Sequence, residues 1–228
     1  ALIPGNVGAA PIQNIGAYGV ELQDVFEFCT LVNRNDQSVE TYDKAACQFG
    51  YRDSIFKNEL KNKTVITDIS LRLKKENYRL NTSYGAVAQM LVSKGINTPS
   101  PKDIANVIIE IRTSKLPDPK QLSNAGSFFK NPIIDHSQFQ QLKSSHPDLP
   151  HYAQPENNYK IPAAWLIEQV GLKGARDGDV GTHKHHALVL VNFGDASGQN
   201  IKAFSQKVQQ KVQDRFGILL QPEVNFCC

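Results

Sequence analysis

The chain has 228 residues, enough for one large domain or two small ones, of which 40% are hydrophobic and 21% charged. That balance excludes a disordered or collagen-like chain, and no apolar run approaches the roughly 18 residues of a membrane-spanning helix. Lys and Arg number 25 against 22 Asp and Glu, a net charge of +3 that gives no argument for nucleic acid. The chain opens on Ala1 with neither Met nor a charged-then-apolar signal segment, so a fragment of a longer chain is expected. Four cysteines, Cys29, Cys47, Cys227 and Cys228, include no CxxC pair, which points to reduced thiols in a cytoplasm. Cys29 lies in an apolar run and reads as core. The adjacent Cys227-Cys228 reads as an exposed tail ahead of a metal or redox feature.

In chain order, the first twenty residues are dense in Gly and Ala. Gly5, Gly8, Gly16 and Gly19 interrupt the apolar residues too often for a regular helix or strand. Strand patterns follow at Val25–Val32, Ser38–Tyr42 and Thr64–Leu73, then a short helix over Gly85–Lys94. Thr98-Pro99-Ser100-Pro101 sets up a helix over Lys102–Thr113, with Ile104, Val107, Ile108 and Ile111 on one face. Leu116-Pro117-Asp118-Pro119 ends it and is the best candidate for a domain boundary. A further helix opens at Ile161-Pro162 and is closed by Gly171 or Gly174. Ala187–Val191 is a continuous apolar run, as in a strand buried on both faces. Ile201, Phe204, Val208, Val212 and Phe216 mark an amphipathic helix that Gly217 caps, and Ile218–Phe226 reads as a final strand.

Four segments carry candidate chemistry. The Gly/Ala-rich opening is neither GxGxxG nor a P-loop; a ligand-facing loop and simple tight turns explain it equally well. In Phe49-Gly50-Tyr51-Arg52-Asp53-Ser54, Arg52 can offer a bidentate fork to a carboxylate or phosphate, although composition alone favours a surface Arg paired with Asp53. The third is Asn124–Pro132, a polar loop with two aromatics around Ala125-Gly126-Ser127. Ser127 can donate a proton, but a serine in a turn is usually a turn former, and GxSxG is absent. In the fourth, Gln221-Pro222-Glu223-Val224, Glu223 is costly to bury unless partnered, and the bland alternative is an edge strand facing water. His183-Lys184-His185-His186 brings three imidazoles without HExxH or cysteines at ligand spacing, so no metal is expected. The lysines at 60–63 and 73–75 are mixed with Glu, as on a solvated surface.

Taken in order, IPGNVGAAPIQNIGAYGVEL at Ile3–Leu22, FGYRDSIFK at Phe49–Lys57, RTSKLPDP at Arg112–Pro119, NAGSFFKNP at Asn124–Pro132, AAWLIEQVGLKG at Ala163–Gly174 and QPEV at Gln221–Val224 resemble the UDP-N-acetylenolpyruvoylglucosamine reductase (MurB) family. The YRDSIFK block and the Tyr84 loop look like its type I branch. The resemblance implies an α+β protein: a vanillyl-alcohol-oxidase-like FAD-binding subdomain plus an α/β substrate-binding domain. Residues 1–114 would be the second part of the FAD-binding domain, its N-terminal subdomain absent. Residues 115–217 would bind substrate, and 218–228 would form a final strand returning to the active site. NADPH would reduce FAD, and hydride from flavin N5 would pass to the enolpyruvyl methylene carbon of UDP-N-acetylglucosamine enolpyruvate, giving UDP-N-acetylmuramate.

By the same resemblance, Arg52 and Glu223 polarise the substrate carboxylate and Ser127 is the general acid. Ile3, Gly8, Ala9, Ile12, Gly16 and Tyr18 fall where the family lines the flavin, largely with backbone. Some relatives carry Ser-Ser where this chain has Ala9-Ala10, which removes hydroxyl contacts there. Tyr51, Tyr84, Lys115, Asn131 and His186 match substrate-binding positions, Lys115 and Asn131 at the UDP diphosphate. The family's GxGSN loop, which cradles the FAD pyrophosphate, has no match here. The expectation is therefore a cytoplasmic, monomeric reductase fragment, with a noncatalytic UDP-sugar-binding unit that no longer holds FAD as the alternative. A different flavin oxidase of the same fold is disfavoured, because covalent-flavin motifs are missing. Neither nucleic acid nor a membrane is an expected partner.

Overall fold

In the computed structural model, residues 1–82 and 84–226 are described. Cys227 and Cys228, and with them the reading of that pair as a tail, lie outside the described residues. The chain divides into two compact units, Ala1–Arg112 and Thr113–Cys228.

The first unit begins with a 3-10 helix over Val7–Gln13, which contains Pro11 and is closed by Asn14 in the left-handed conformation. A two-residue hairpin follows, β1 (Gly16–Ala17) paired with β2 (Val20–Glu21). Gly16 is required there, since a Cβ would sit 2.7 Å from the Val20 carbonyl oxygen. Next come β3 (Phe26–Asn33), β4 (Val39–Asp43) and β5 (Thr64–Leu71), which form an antiparallel sheet in the order β4-β3-β5. As the central strand, β3 buries Phe26, Cys29 and Leu31 against Leu22, Cys47, Ile55 and Phe56. Bulges at Phe26/Phe28 and Thr30/Leu31 shift the register, so the inward residues do not follow strict alternation.

Two helices complete this unit, α1 (Gly85–Ser93) and α2 (Pro101–Lys115), which bury Val87 and Leu91 with Val107 and Ile111. The start of α2 is fixed locally. The Ser100 and Asp103 side chains each bond the other's backbone N–H, and Pro101 takes the first helical position. The unit boundary falls within the last turn of α2.

In the second unit, β6 (Ser123–Ser127), β10 (Arg176–Asp177), β11 (Val180–His183) and β12 (His186–Asn192) form an antiparallel sheet ordered β10-β11-β12-β6. Ala187–Val191 is buried throughout, as the apolar run requires, because β12 is interior and covered by α4 (Ala163–Gln169) and α5 (Gly198–Phe216). A capping box of Ser197 and Asn200 starts α5, and Gly217, at φ +65°, ends it. Its buried Phe204, Val208, Val212 and Phe216 each contribute about 1.5–3 kcal/mol of hydrophobic stabilisation. A smaller antiparallel sheet of β7 (Ile133–Ile134), β9 (Asn158–Lys160) and β8 (Tyr152–Gln154) packs on α3 (His136–Ser145), where Phe139 stacks on Tyr159 at 3.8 Å.

Three expectations change. The second unit is α+β rather than α/β: every strand pairing among its described residues is antiparallel, whereas an α/β unit needs parallel strands joined by crossover helices. Asn124–Ser127, expected as part of a loop, lies in β6; β12 supplies the hydrogen-bonding partner that the weak strand propensity of Asn-Ala-Gly-Ser does not advertise. Ile218–Phe226 is not a regular strand. It makes one bridge, Phe129 to Pro222, and Pro222 has no N–H with which to extend a ladder.

Candidate active site

Within the first unit, the glycine-rich opening and the Tyr51-Arg52 loop are tied to each other through side chains. Arg52 donates from Nη2 to the Gly16 carbonyl at 2.6 Å, and its guanidinium lies 5.3 Å from the Tyr51 ring centroid. Buried Ser54 donates its hydroxyl to the Ile12 carbonyl at 2.7 Å and accepts the Phe56 N–H, capping the short turn at Ile55–Lys57. Asp53 Oδ1 accepts the Ser54 N–H and the Asn58 amide, while Lys57 reaches the Arg52 carbonyl.

The tie is centred on Asn14, which is fully buried. Its Nδ2 donates to Glu21 Oε2 at 2.8 Å and to the Gly50 carbonyl at 3.0 Å, and its Oδ1 accepts the Gln23 N–H at 3.0 Å. Asn14, Tyr18 and Arg52 all hold positive φ, at 45°, 56° and 54°. Such backbone costs a non-glycine residue about 1–2 kcal/mol, so the surrounding hydrogen bonds must hold it in place.

Tyr18 meets Tyr84 edge-to-face at 5.1 Å. Tyr84 stands at the N-cap of α1, 41% exposed. Gly8 lies against β5, where an added Cβ would come 3.4 Å from the Ile66 carbonyl oxygen. Ile3 is exposed together with Leu2 and Val7, and Ala9 is exposed with its N–H on the Asn6 carbonyl. Arg112 reaches the Leu2 carbonyl through Nη2, and its buried Nε has no partner among the described residues. Exposed apolar side chains, open space beside Gly5 and an orphaned guanidinium nitrogen fit a ligand with both an apolar part and an anionic part.

In the second unit, Ser127 ends β6 opposite Val189 and is exposed. The Phe128 N–H donates to the Leu188 carbonyl at 2.8 Å, and the Phe128 carbonyl accepts the Glu223 N–H at 2.7 Å. The tail is held further by Lys130 N–H on the Gln221 carbonyl, and by Gln209 of α5 on the Leu220 carbonyl at 2.7 Å. Ser127, at the end of β6, and Glu223, in the bridged tail, are thereby brought to adjacent segments across Phe128, although nearly a hundred residues separate them in sequence. Asn131 Oδ1 accepts the Ala163 N–H at 2.9 Å and caps α4, so that oxygen is committed to the fold.

His186 opens β12 opposite His183. Burial first, and then the Lys115 ammonium, push the His186 imidazole below its ordinary range; Glu168 works in the other direction. Burial also lowers His183, helped by His185 and Lys184. The Nδ1 atoms of both rings are buried without a hydrogen-bond partner among the described residues. Both imidazoles are therefore neutral near pH 7. No three His, Cys, Asp or Glu side chains among the described residues converge to hold a metal, and no helix there is long and apolar enough to cross a membrane.

Sequence reasoning did not pick out Asn14 or Glu21. The available signal was an Asn placed before Ile15-Gly16 in a turn-rich stretch, since Asn tolerates left-handed backbone.

The family model described as UDP-N-acetylenolpyruvoylglucosamine reductase, C-terminal domain, matches residues 118–227. The UDP-N-acetylenolpyruvoylglucosamine reductase of Flavobacterium johnsoniae is 51% identical over 225 residues, covering 99% of this chain and 67% of that protein. That of Pseudomonas aeruginosa is 50% identical, covering 99% of this chain and 66% of its own length. The crystal structure of the Thermus caldophilus MurB reductase shares the fold with a TM-score of 0.60 at 23% identity, over 98% of this chain and 61% of that one. The chain thus spans about two thirds of the length of the curated relatives it matches. With half its residues identical to these relatives across nearly its whole length, the chain belongs to the UDP-N-acetylenolpyruvoylglucosamine reductase family.

Proposed function

We propose that the chain serves a reductase that uses NADPH and FAD to convert UDP-N-acetylglucosamine enolpyruvate to UDP-N-acetylmuramate during peptidoglycan synthesis, as a cytoplasmic monomer. The observation that carries this reading is the 51% identity, over 99% of the chain, to a relative named for that reductase activity. Bound FAD, reduced by NADPH, would supply hydride at N5. Ile3, Gly8, Ala9, Ile12, Gly16 and Tyr18 are the residues proposed to line it.

Hydride addition to an enol ether is accessible only when the adjacent carboxylate is polarised so that an enolate can form. Arg52 and Glu223 take that role. The Arg52 fork suits a carboxylate, and Glu223 helps when protonated or hydrogen-bonded rather than bare. Ser127 delivers the proton to the enolate carbon from an exposed strand end, one residue from the backbone that anchors Glu223. Tyr51, Tyr84, Lys115, Asn131 and His186 hold the substrate: Lys115 and the amide nitrogen of Asn131 at the diphosphate, and neutral His186 as a hydrogen-bonding group rather than a cation.

The test is flavin absorbance together with substrate-dependent NADPH oxidation, on this chain and on the full-length protein that contains it. Ser127→Ala should leave flavin reduction by NADPH intact and stall product formation. Equal slowing of both half-reactions would make Ser127 structural. A full-length protein that neither binds flavin nor oxidises NADPH with the enolpyruvyl substrate would sink the assignment. A second reading is a UDP-sugar-binding unit without FAD, supported by the match of residues 118–227 to the family's C-terminal domain. Saturable UDP-sugar binding by a colourless chain, beside an active full-length protein, would select it.

A further inference from the structure

The reaction proposed above makes no use of Cys29 and Cys47. Their sulfurs lie 4.0 Å apart in the first unit, and both residues are wholly buried. Cys29 sits on the central strand β3. Cys47 sits in the turn after β4, its N–H on the Asp43 carbonyl and its carbonyl accepting the Ile55 N–H. A disulfide needs sulfurs about 2.05 Å apart and Cβ atoms about 3.8 Å apart, so closure asks for an approach of roughly 2 Å shared between side-chain rotation and the turn. The turn is the side that can yield. Lys44, Ala45, Ala46 and Gln48 are all exposed, so Cys47 is covered by a single layer of chain, while β3 is paired on both edges.

We propose that Cys29 and Cys47 are an oxidisable dithiol, closed to a disulfide by a peroxide and reopened by a small thiol. The hydrogen bond from the Cys47 thiol holds Cys29 below its ordinary range, against the effects of burial and of Asp68. The same bond, together with burial, pushes Cys47 far up. Cys47 Sγ also has the Tyr42 carbonyl oxygen as an acceptor at 4.0 Å, which holds its proton, so Cys29 is the attacking sulfur and Cys47 the resolving one. In the first step the Cys29 thiolate attacks a peroxide oxygen. The O–O bond breaks, one water leaves with the thiol proton, and Cys29 becomes a sulfenic acid. In the second step Cys47 sulfur attacks the sulfenic sulfur, the S–S bond forms, and the hydroxyl leaves as a second water with the Cys47 proton. Two electrons pass from the two thiols to the peroxide. The link would fasten β3 to the base of the loop that begins at Gln48 and carries Tyr51 and Arg52.

The experiment uses the folded chain carrying Cys227→Ser and Cys228→Ser, so that the buried pair alone can react. It is treated with hydrogen peroxide at neutral pH, quenched, alkylated in denaturant, and analysed by intact mass and non-reducing peptide mapping. The expected result is a mass lower by two hydrogens, no alkylation, and a peptide linking Cys29 to Cys47, all reversed by dithiothreitol. Adding Cys47→Ser should stop the reaction at a sulfenic acid on Cys29 that dimedone traps. Full alkylation of both thiols after peroxide, or sulfinic acid at either sulfur without a linked peptide, would overturn the proposal. Neither readout depends on the reductase assignment.

Discussion

Asn14→Ala should be among the most damaging single changes in the first unit, because it removes three hydrogen bonds made by one fully buried side chain. The lost contacts are those to Glu21 Oε2 at 2.8 Å, to the Gly50 carbonyl at 3.0 Å and from the Gln23 N–H at 3.0 Å. At about 1 kcal/mol for each neutral bond and about 1.5–2 for the one to a carboxylate, the loss is about 3–4 kcal/mol. Alanine must also hold φ 45°, which adds roughly 1 kcal/mol. With a urea m-value of about 2 kcal/mol per molar, the midpoint followed by far-UV circular dichroism should fall by about 2 M. Asn14→Gly separates the two terms, because glycine takes positive φ without strain; it should recover only about 1 kcal/mol of the loss. Hydrogen exchange should quicken at residues 10–24 and 47–57 and stay unchanged from Thr113 onward. An alanine variant whose midpoint lies within about 0.3 M of the parent would refute the reasoning. It would mean that water replaces the carboxamide at no cost and that Asn14 does not hold the Arg52 loop.

The second unit should respond to pH through its histidines. Burial depresses His183 and His186 from 6.5, so the unfolded chain takes up their protons first. Stability from these groups is complete above about pH 6.5 and declines as pH falls through that value toward the lower folded-state range. Urea midpoints across this window should show the decline, and His186→Gln should flatten it; an unchanged slope would mean that burial at His186 does not set the effect. Leu166→Ala should cost about 2–5 kcal/mol, because Leu166 is fully buried in the main core. Fluorescence of Trp165, its neighbour and the chain's one tryptophan, should report the shift, and a loss below about 1 kcal/mol would mean that the core collapses around the gap.

Where structure is made by neighbours in the chain, the sequence was legible. The spacing of three and four through Ile201, Phe204, Val208, Val212 and Phe216 is the packed stripe of α5, and Thr98-Pro99-Ser100-Pro101 sets up α2, which opens at Pro101. Cys29 is core, and Ala187–Val191 is the buried interior strand. The order of six motifs identified the family, which half identity to its members bears out.

What the residues alone did not show depends on partners far along the chain. Asn124-Ala125-Gly126-Ser127 has no strand signature of its own and becomes β6 because β12 offers it an edge. The tail was expected as a strand. It is instead one bridge and two flanking hydrogen bonds, which carry Glu223 to the segment next to Ser127. Asn14 looks like an ordinary turn residue until Gly50, 36 positions on, proves to be its partner. Sequence alone thus determined the family, the long helices and the buried interior strand and named the candidate site residues, since motif order, periodicity and capping are read from neighbours in the chain. The tertiary structure decided which of those residues are held beside which, because a hydrogen bond between distant segments leaves no period or spacing to read.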